Sequence, residues 1–327
     1  MKPAMTVTRD RDEAAIERFL DLLRCPRSGQ RLTLKPGAVA SVDGAYRYRL
    51  TAAGIPLFAE DAVSGEAETQ RRHYNRIAAA FTANLAYPHT QEYLTYLDRA
   101  LLEAVETRGL GTVAELCCGR GEALALFAGQ IGRYIGVDVS ENMLQAAYER
   151  HAGADALFVQ GDATCTPLAS ASVDTVVMLG GIHHVPARAR LFGEIARILK
   201  PGGRLIYREP VSDFALWRGL RAVIYRLSPM LNQATERPLV YDETVPVLEQ
   251  AGLRSQRYRT YGLLGFCLFM NSDVLFFNRA FRFVPGIRAI TRASARIDDA
   301  LLALPGLRRA GLQVIGVAQK PPTGAAP

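Results

Sequence analysis

The sequence predicts an α/β protein in which helices cover both faces of a doubly wound, mostly parallel β-sheet. Residues 113–118 form a mostly apolar run that ends in a glycine-punctuated turn. A second apolar run, 134–137, is followed at once by Asp138. Residues 173–179 form an apolar run with an acidic residue, Asp174, near its start, which is typical of a parallel strand buried on both faces. Together the three runs predict the central strands of one sheet.

The turn after the first run has the chemistry of a nucleotide-type cofactor site. Glycine at 119 and 121 can adopt backbone conformations closed to other residues, which brings main-chain N–H groups close to a ligand. Asp138, at the carboxyl end of the next strand, can accept both hydroxyls of a ribose. A dinucleotide site would need a small residue at position 124, where this chain has Leu124. We therefore expect a ribose-bearing ligand other than a dinucleotide, with a plain structural turn as the alternative.

The pattern acidic-x-small-x-Gly-x-Gly is formed by Glu115, Cys117, Gly119 and Gly121. It resembles motif I of the class I S-adenosylmethionine-dependent methyltransferases. Cys117 stands where that family usually has glycine, and a small side chain is tolerated at this place in the family.

Further segments follow in the order in which this family has them. Residues 160–163 resemble the segment whose aspartate, here Asp162, meets the adenine amino group. Residues 195–205, with Pro-Gly-Gly at their centre, resemble the joint between a helix and strand five. The resemblance spans residues 111–209 and implies a Rossmann-like, seven-stranded sheet with S-adenosylmethionine as the cofactor.

The resemblance also assigns residues to the cofactor. It implies glycines against the methionine part, Asp138 on the ribose and Asp162 near the adenine. Tyr74 would begin a helix that covers the cofactor, unless that helix is an ordinary amphipathic one. The full set of expected contacts is Tyr74, Glu115, Cys117, Gly119, Gly121, Asp138, Val139, Met143, Asp162, Ala163 and Leu179.

The composition limits the cellular compartment and the classes of partner that we expect for this chain. The chain has 327 residues, an apolar content of 49% and five scattered cysteines. Since no signal peptide precedes them, we expect free thiols in a reducing cytoplasm. The formal net charge of +7 comes from dispersed arginines, which favours a basic surface over a nucleic-acid partner and leaves open weak contact with a membrane surface. The most apolar stretch, 261–278, is interrupted at 271–273 before it could span a bilayer.

Residues 1–65 resemble the small zinc-ribbon module that precedes many of these methyltransferases. In that module two Cys-x-x-Cys knuckles hold the metal, whereas here Ser28 replaces the partner of Cys25 and the second knuckle is missing. Too few ligands remain for a tetrahedral zinc site. We therefore expect no bound metal and a module held together by its apolar residues.

Apolar residues at helical spacing over 66–108 predict a helical linker, and the resemblance implies that it covers the cofactor. The methyltransferase domain is expected over 109–320, and the tail 321–327 is expected to be disordered. Two stretches of the domain, 210–240 and 263–311, exceed the family pattern and are interpreted as insertions. The last elements of the sheet are predicted as a helix over 243–251 and strands over 254–261 and 312–318.

The insertions admit three interpretations. Phenylalanines clustered between 266 and 283 are more than a polar surface loop needs. Both insertions could fold over the carboxyl edge of the sheet as a lid that forms an apolar acceptor pocket. They could instead be extra helices that thicken the core, or attach to a membrane surface through Phe276 and Phe277.

The candidate catalytic residues lie after strands four and five. His183 and His184 follow strand four at the ligand edge, and an imidazole titrates near neutrality, as a general base should. Neighbours in an extended chain point to opposite faces, so one histidine is expected in the pocket. His184 is preferred because related methyltransferases have histidine at the matching place. Glu209 is the other candidate; a structural histidine and a surface carboxylate paired with arginine are the alternatives.

The predicted function is methyl transfer from S-adenosylmethionine to a small apolar acceptor, such as a quinone-like, polyketide or lipid intermediate. An RNA base methyltransferase is one alternative, although the chain has no aromatic-plus-lysine stripe for single-stranded RNA. A cofactor-binding pseudoenzyme is another. The methylated atom, oxygen, carbon or nitrogen, and the oligomeric state are left open.

Overall fold

A computed structural model describes residues 13–59, 65, 67–69, 71–72, 86–105, 109–219, 237–270 and 276–324. Its main feature is a seven-stranded sheet in the order β6-β5-β4-β7-β8-β10-β9. The strands of this sheet are β4 (Gly111–Leu116), β5 (Ile131–Asp138), β6 (Ala156–Gln160), β7 (Val173–Leu179), β8 (Leu199–Pro210), β9 (Arg254–Tyr261) and β10 (Gln313–Gln319). Strands β4 to β8 pair in parallel, and β10 is antiparallel to both of its neighbours. The predicted doubly wound, mostly parallel sheet is confirmed.

Helices cover both faces of the sheet. They are α1 (Pro88–Ala104), α2 (Glu122–Leu126), α3 (Glu141–Arg150), α4 (Arg188–Ile198), α5 (Tyr241–Gln250), α6 (Leu264–Phe269) and α7 (Ile287–Leu302). Ala114 of β4 belongs to the apolar cluster that includes α4, whereas its neighbour Val113 belongs to the cluster that includes α1. Successive strand residues point to opposite faces, so a continuous apolar run buries both faces of the strand.

The final elements lie close to their predicted positions. Strand β9 has the predicted bounds, while α5 and β10 differ from prediction by one or two residues. Because β9 and β10 are antiparallel, β9 ends and β10 begins at the carboxyl edge of the parallel strands. The insertion between them therefore leaves and re-enters the sheet at the edge where ligands bind.

The amino-terminal module contains a three-stranded antiparallel sheet, β1 (Leu32–Lys35), β2 (Ala38–Ser41) and β3 (Arg47–Arg49). Its cysteine, Cys25, is buried, and its Sγ lies 3.1 Å from the Tyr48 hydroxyl. The Tyr48 ring packs against Phe58 with centroids 4.8 Å apart. Apolar packing thus surrounds the only cysteine of the module.

The module extends the edge of the main sheet. Leu57 pairs in parallel with Gln160 of β6, the Phe58 N–H donates to the Gln160 carbonyl at 3.0 Å, and the Gln160 N–H donates to the Pro56 carbonyl at 2.9 Å. Edge strands expose unpaired backbone groups, and this contact covers them on β6. Leu23 of the module is fully buried in the apolar cluster that includes α4.

Shortening Leu23 should therefore destabilise the whole domain. We expect Leu23→Ala to lower the free energy of unfolding by about 2 to 5 kcal/mol, because it leaves a cavity between module and sheet. Val42→Ala, at a side chain that is 64% exposed in the same module, should change it by less than about 0.5 kcal/mol. Urea unfolding measures both; equal midpoints for Leu23→Ala and the parent would mean that the module is not energetically coupled to the sheet.

Candidate cofactor and catalytic site

The glycine turn after β4 has the backbone conformation that its residues predict. Gly119 and Gly121 have φ of +52° and +72°, in the left-handed region that favours glycine. A Cβ on Gly121 would lie 3.0 Å from His151 Nε2. Cys117, which replaces the usual glycine of the family, also has a positive φ of +53°. Its side chain packs beside Gly181, where a Cβ would lie 2.6 Å from that of Cys117.

Glu115 lies beneath this turn and is 1% exposed. Both of its carboxylate oxygens accept the Ala123 N–H at 3.1 Å, and it also accepts a hydrogen bond from the Tyr134 hydroxyl. Burial raises the pKa of Glu115 to about 8, although these hydrogen bonds act in the opposite direction. Glu115 thus accepts hydrogen bonds from α2 and β5, and these bonds hold the turn between β4 and α2 in place.

Asp138 holds the turn from its other side. One carboxylate oxygen accepts the Gly119 N–H at 2.8 Å, and the other accepts the Ser140 N–H at 2.9 Å. Burial raises the pKa of Asp138, and the backbone donors Ser140 and Gly119 oppose that shift. A carboxylate has about four acceptor sites, more than these donors occupy, so acceptor capacity remains for ligand hydroxyls.

The segment after β6 is fixed by a local turn and by the amino-terminal module. Asp162 Oδ1 accepts both the backbone N–H and the hydroxyl of Thr164 at 2.8 Å. The module contacts this segment at Gln160 and again where the Arg24 N–H donates to the Pro167 carbonyl at 2.8 Å. Ala163 is buried beside Asp162. No pattern in the sequence predicts that the module contacts the proposed adenine segment.

The remaining predicted cofactor residues fall at the same edge, with one exception. Met143, on α3, lies near the turn, since a Cβ on Gly119 would be 3.3 Å from its Cε. Val139 follows β5 directly, and Leu179 ends β7. Tyr74 lies outside the residues that the structure describes.

The residues after β7 form a compact turn built around Glu209. This carboxylate is 0% exposed. Its Oε1 accepts the N–H groups of Gly181 and Ile182 at 2.7 and 2.8 Å, and its Oε2 lies 2.8 Å from His183 Nδ1. Burial raises the pKa of Glu209 to about 7, and the backbone N–H donors oppose the shift. Glu209 therefore fixes both the turn and the ring of His183.

One expectation and one alternative about these residues are wrong. The chain is not extended at His183 and His184, because β7 ends at Leu179 and residues Ile182–His184 form a 3-10 turn. The two rings consequently lie together, with centroids 3.8 Å apart. Glu209 is not a surface carboxylate paired with arginine, because it lies inside the turn and bonds to backbone and imidazole.

The second insertion is anchored to α1 by a buried aspartate. Asp298 of α7 accepts the Tyr93 hydroxyl at 2.8 Å. It also accepts the N–H groups of Leu263 and Gly265, at 2.9 and 3.1 Å, at the start of α6. Phe266 of α6 is buried in the cluster that includes α1. One side of this insertion thus belongs to the core, and the lid over an acceptor pocket stays a prediction.

The two insertions also touch each other. Trp217 Nε1, in the first insertion, donates to the Ala310 carbonyl at 3.0 Å at the end of the second. Residues 220–236 and the side chains of Phe276 and Phe277 lie outside what the structure describes. Within the described ranges, no helix is long and apolar enough to cross a membrane, and no cluster of side chains has the makeup of a metal site.

A family profile described as a methyltransferase domain matches residues 114–207. The demethylmenaquinone methyltransferase of Lactococcus lactis is 37% identical over 104 residues, which are 30% of this chain and 41% of that protein. The demethylmenaquinone methyltransferase of Clavibacter sepedonicus is 33% identical over 130 residues, which are 38% of this chain and 53% of that protein. The chain thus spans about half the length of the curated relatives it matches.

Among solved structures, that of the (4+2)-cyclase SpnF has a TM-score of 0.57 to this chain at 17% identity. The match covers 80% of this chain and 98% of the other. At this identity the likeness concerns the fold alone. One fold can carry several chemistries, so the reaction has to be argued from the site.

The raised pKa of Glu115 predicts a pH-dependent stability. A folded-state pKa of about 8, above the ordinary value of 4.5, means that the folded protein holds this proton more tightly than the unfolded chain. Its contribution to stability is therefore present at low pH and lost as pH rises from 4.5 to about 8. The slope is at most about 1.4 kcal/mol per pH unit.

Glu115→Gln should flatten this fall in the free energy of unfolding between about pH 5 and pH 8. The exposed Glu103→Gln should leave the slope unchanged. Urea unfolding at a series of pH values measures it. A slope for Glu115→Gln equal to that of the parent would show that Glu115 does not carry the effect.

Proposed function

We propose that this chain, which contains a class I S-adenosylmethionine-dependent methyltransferase domain, transfers a methyl group to a small apolar acceptor of the quinone type. The observation that carries the proposal is the pairing of the glycine turn with Asp138 at the carboxyl edge of the sheet. The named relatives act on demethylmenaquinone, which supports a quinone-like acceptor. The scattered cysteines support a cytoplasmic setting.

The described residues fit the cofactor. Gly119 and Gly121 keep backbone at the turn free of side chains, which allows close approach by the methionine part. Asp138 has acceptor capacity for the ribose hydroxyls, and Asp162 and Ala163 would border the adenine. When bound, S-adenosylmethionine supplies a sulfonium methyl that is highly reactive toward nucleophiles. The protein mainly has to orient the acceptor and take up a proton.

We infer that the His183–Glu209 pair takes up that proton. With Glu209 as a carboxylate, His183 Nδ1 donates to it, so Nε2 keeps the lone pair that a general base needs. With S-adenosylmethionine bound, the acceptor would gain the methyl group as the methyl–sulfur bond breaks and S-adenosylhomocysteine leaves, and the proton lost by the acceptor would pass to Nε2 of His183. The geometry supports His183 as the base more strongly than His184, because the Glu209 contact is made by His183. Glu209 acts as a positioning residue.

The cofactor assignment is tested with Asp138→Ala. Loss of hydrogen bonds from a charged acceptor should weaken S-adenosylmethionine binding by about 2 to 3 kcal/mol. The matched control is Asp155→Ala, whose side chain is 62% exposed and pairs with Arg18. Titration calorimetry reads out both variants. If Asp138→Ala and the parent bind S-adenosylmethionine with equal affinity, Asp138 does not bind the ribose.

The base assignment is tested with His183→Ala, using short-tailed demethylmenaquinone reduced to its hydroquinone as the acceptor. Turnover should fall by about a hundredfold or more, while the cofactor dissociation constant stays near the parent value. His184→Ala should lower turnover much less. Glu209→Gln should move the acidic limb of the pH–rate profile, since it changes the partner of His183.

Three outcomes would contradict this account. Unchanged turnover of His183→Ala across pH would make the histidine structural. A larger loss in His184→Ala would return the role to His184. Cofactor binding by the parent without turnover on quinone or RNA would indicate a pseudoenzyme, and methyl transfer to RNA would indicate the RNA-directed alternative.

A further inference from the structure

Helix α7 of the second insertion presents apolar side chains to solvent. Ile290 is 48% exposed and Ile297 is 58% exposed. Residues seven apart lie on the same face of a helix, and the exposed Ala293 and Ala300 lie on that face with them. We call these four residues the apolar strip.

The other faces of α7 make contacts within the fold. Its buried face consists of Ile287, Thr291, Ala295, Asp298 and Leu302. A row of three arginines, Arg288, Arg292 and Arg296, lies between the buried face and the apolar strip. Arg288 and Arg292 reach Gln91 and Glu92 of α1, at 3.3 and 2.8 Å. The apolar strip therefore lies on the side of α7 that faces away from α1.

Further exposed apolar residues border the apolar strip. Helix α6 crosses α7 closely, since a Cβ on Gly265 would lie 2.1 Å from Ser294 Oγ. Ser294 is positioned between the buried face and the apolar strip, so α6 runs beside the strip. Leu264 and Leu268 of α6 are 55% and 42% exposed. Just before α7, Phe283 is 74% exposed.

The charge of this insertion indicates what could cover the apolar strip. Residues 263–311 contain seven arginines and three aspartates, with no lysine or glutamate. One of the aspartates, Asp298, is buried and bonded within the fold. Glu92 of α1 pairs with two arginines of the row, and Asp299 lies along the same row, so the row keeps one net positive charge. An isologous contact between two copies would bring two such rows together, and like charges repel. An anionic surface would instead complement both the arginines and the apolar strip.

We propose that the apolar strip, with Phe283 and the flanking arginines, docks this chain onto the surface of an anionic phospholipid bilayer. Apolar side chains would enter the boundary between headgroups and acyl chains, while the arginines contact lipid phosphates. This inference rests on the proposed apolar acceptor, which partitions into the same bilayer. The docked face belongs to the insertion that leaves the sheet at its ligand edge, so a membrane-dissolved acceptor would be taken up close to the site.

The test is co-sedimentation of the full chain with vesicles, without cofactor or acceptor. The parent should bind phosphatidylglycerol vesicles at least about tenfold more tightly than phosphatidylcholine vesicles, and added salt should weaken the binding. Ile290→Gln/Ile297→Gln should weaken phosphatidylglycerol binding by about tenfold or more. Arg296→Gln should weaken it less. Val42→Gln, at an exposed apolar position of the amino-terminal module, should bind like the parent.

Several outcomes would overturn the proposal. They are no binding of the parent to phosphatidylglycerol, equal binding of the parent and the double variant, or a dimer without vesicles that the double variant abolishes. Thermal unfolding at the parent temperature establishes that the double variant is folded, as expected for exposed positions.

Activity separates this proposal from the proposed function. The double variant should methylate a short-tailed acceptor in water at the parent rate and lose turnover only on a long-tailed acceptor held in vesicles. If the parent methylates neither acceptor yet binds vesicles, the proposed function fails and the docking surface stands. If the parent methylates the short-tailed acceptor but does not bind vesicles, the docking proposal alone fails.

Discussion

Carboxylates that are buried or part-buried at the carboxyl ends of parallel strands hold the turns from which the site is built. Glu115, Asp138 and Glu209 lie at or next to the last residues of β4, β5 and β8, and each accepts backbone N–H groups of a neighbouring turn. Burial raises the pKa of all three, which makes each carboxylate costly unless those donors are in place. The turns and the carboxylates therefore depend on each other.

The second insertion and the amino-terminal module lie outside the central sheet. The insertion is also held by a buried carboxylate, and the module continues the backbone pairing of the sheet. Asp298 is a further buried carboxylate, and it joins α6, α7 and α1 through backbone and tyrosine donors. The amino-terminal module instead continues the backbone pairing at Gln160, which leads directly to Asp162. Both additions contact the carboxyl edge of the parallel strands, one between β9 and β10 and the other beside the segment proposed to border the adenine. These contacts hold the segments around the methyltransferase-domain match at residues 114–207 in place, although the chain is much longer than that match.

The sequence predicted the parts of the fold that depend on local pattern. The continuous apolar run of β7 and the bounds of β9 follow from burial and period, and the glycines at 119 and 121 follow from the backbone conformation the turn requires. The sequence could not predict the surroundings of Glu209. The N–H groups that donate to its carboxylate belong to the turn at residues 181–183, which is distant from Glu209 in the sequence. The prediction of an extended chain at His183 is wrong for a different reason: β7 ends at Leu179 as its apolar pattern indicates, and Gly180 and Gly181 then lead into the 3-10 turn.

The central claim is that the site formed at this edge transfers a methyl group to an apolar acceptor. The most direct measurement is mass spectrometry of a short-tailed demethylmenaquinone, reduced to its hydroquinone, after incubation with the purified chain and S-adenosylmethionine. The account predicts an acceptor heavier by one methylene unit, formed together with one equivalent of S-adenosylhomocysteine. Cofactor that binds but is returned unchanged, with the acceptor mass unaltered, would contradict it.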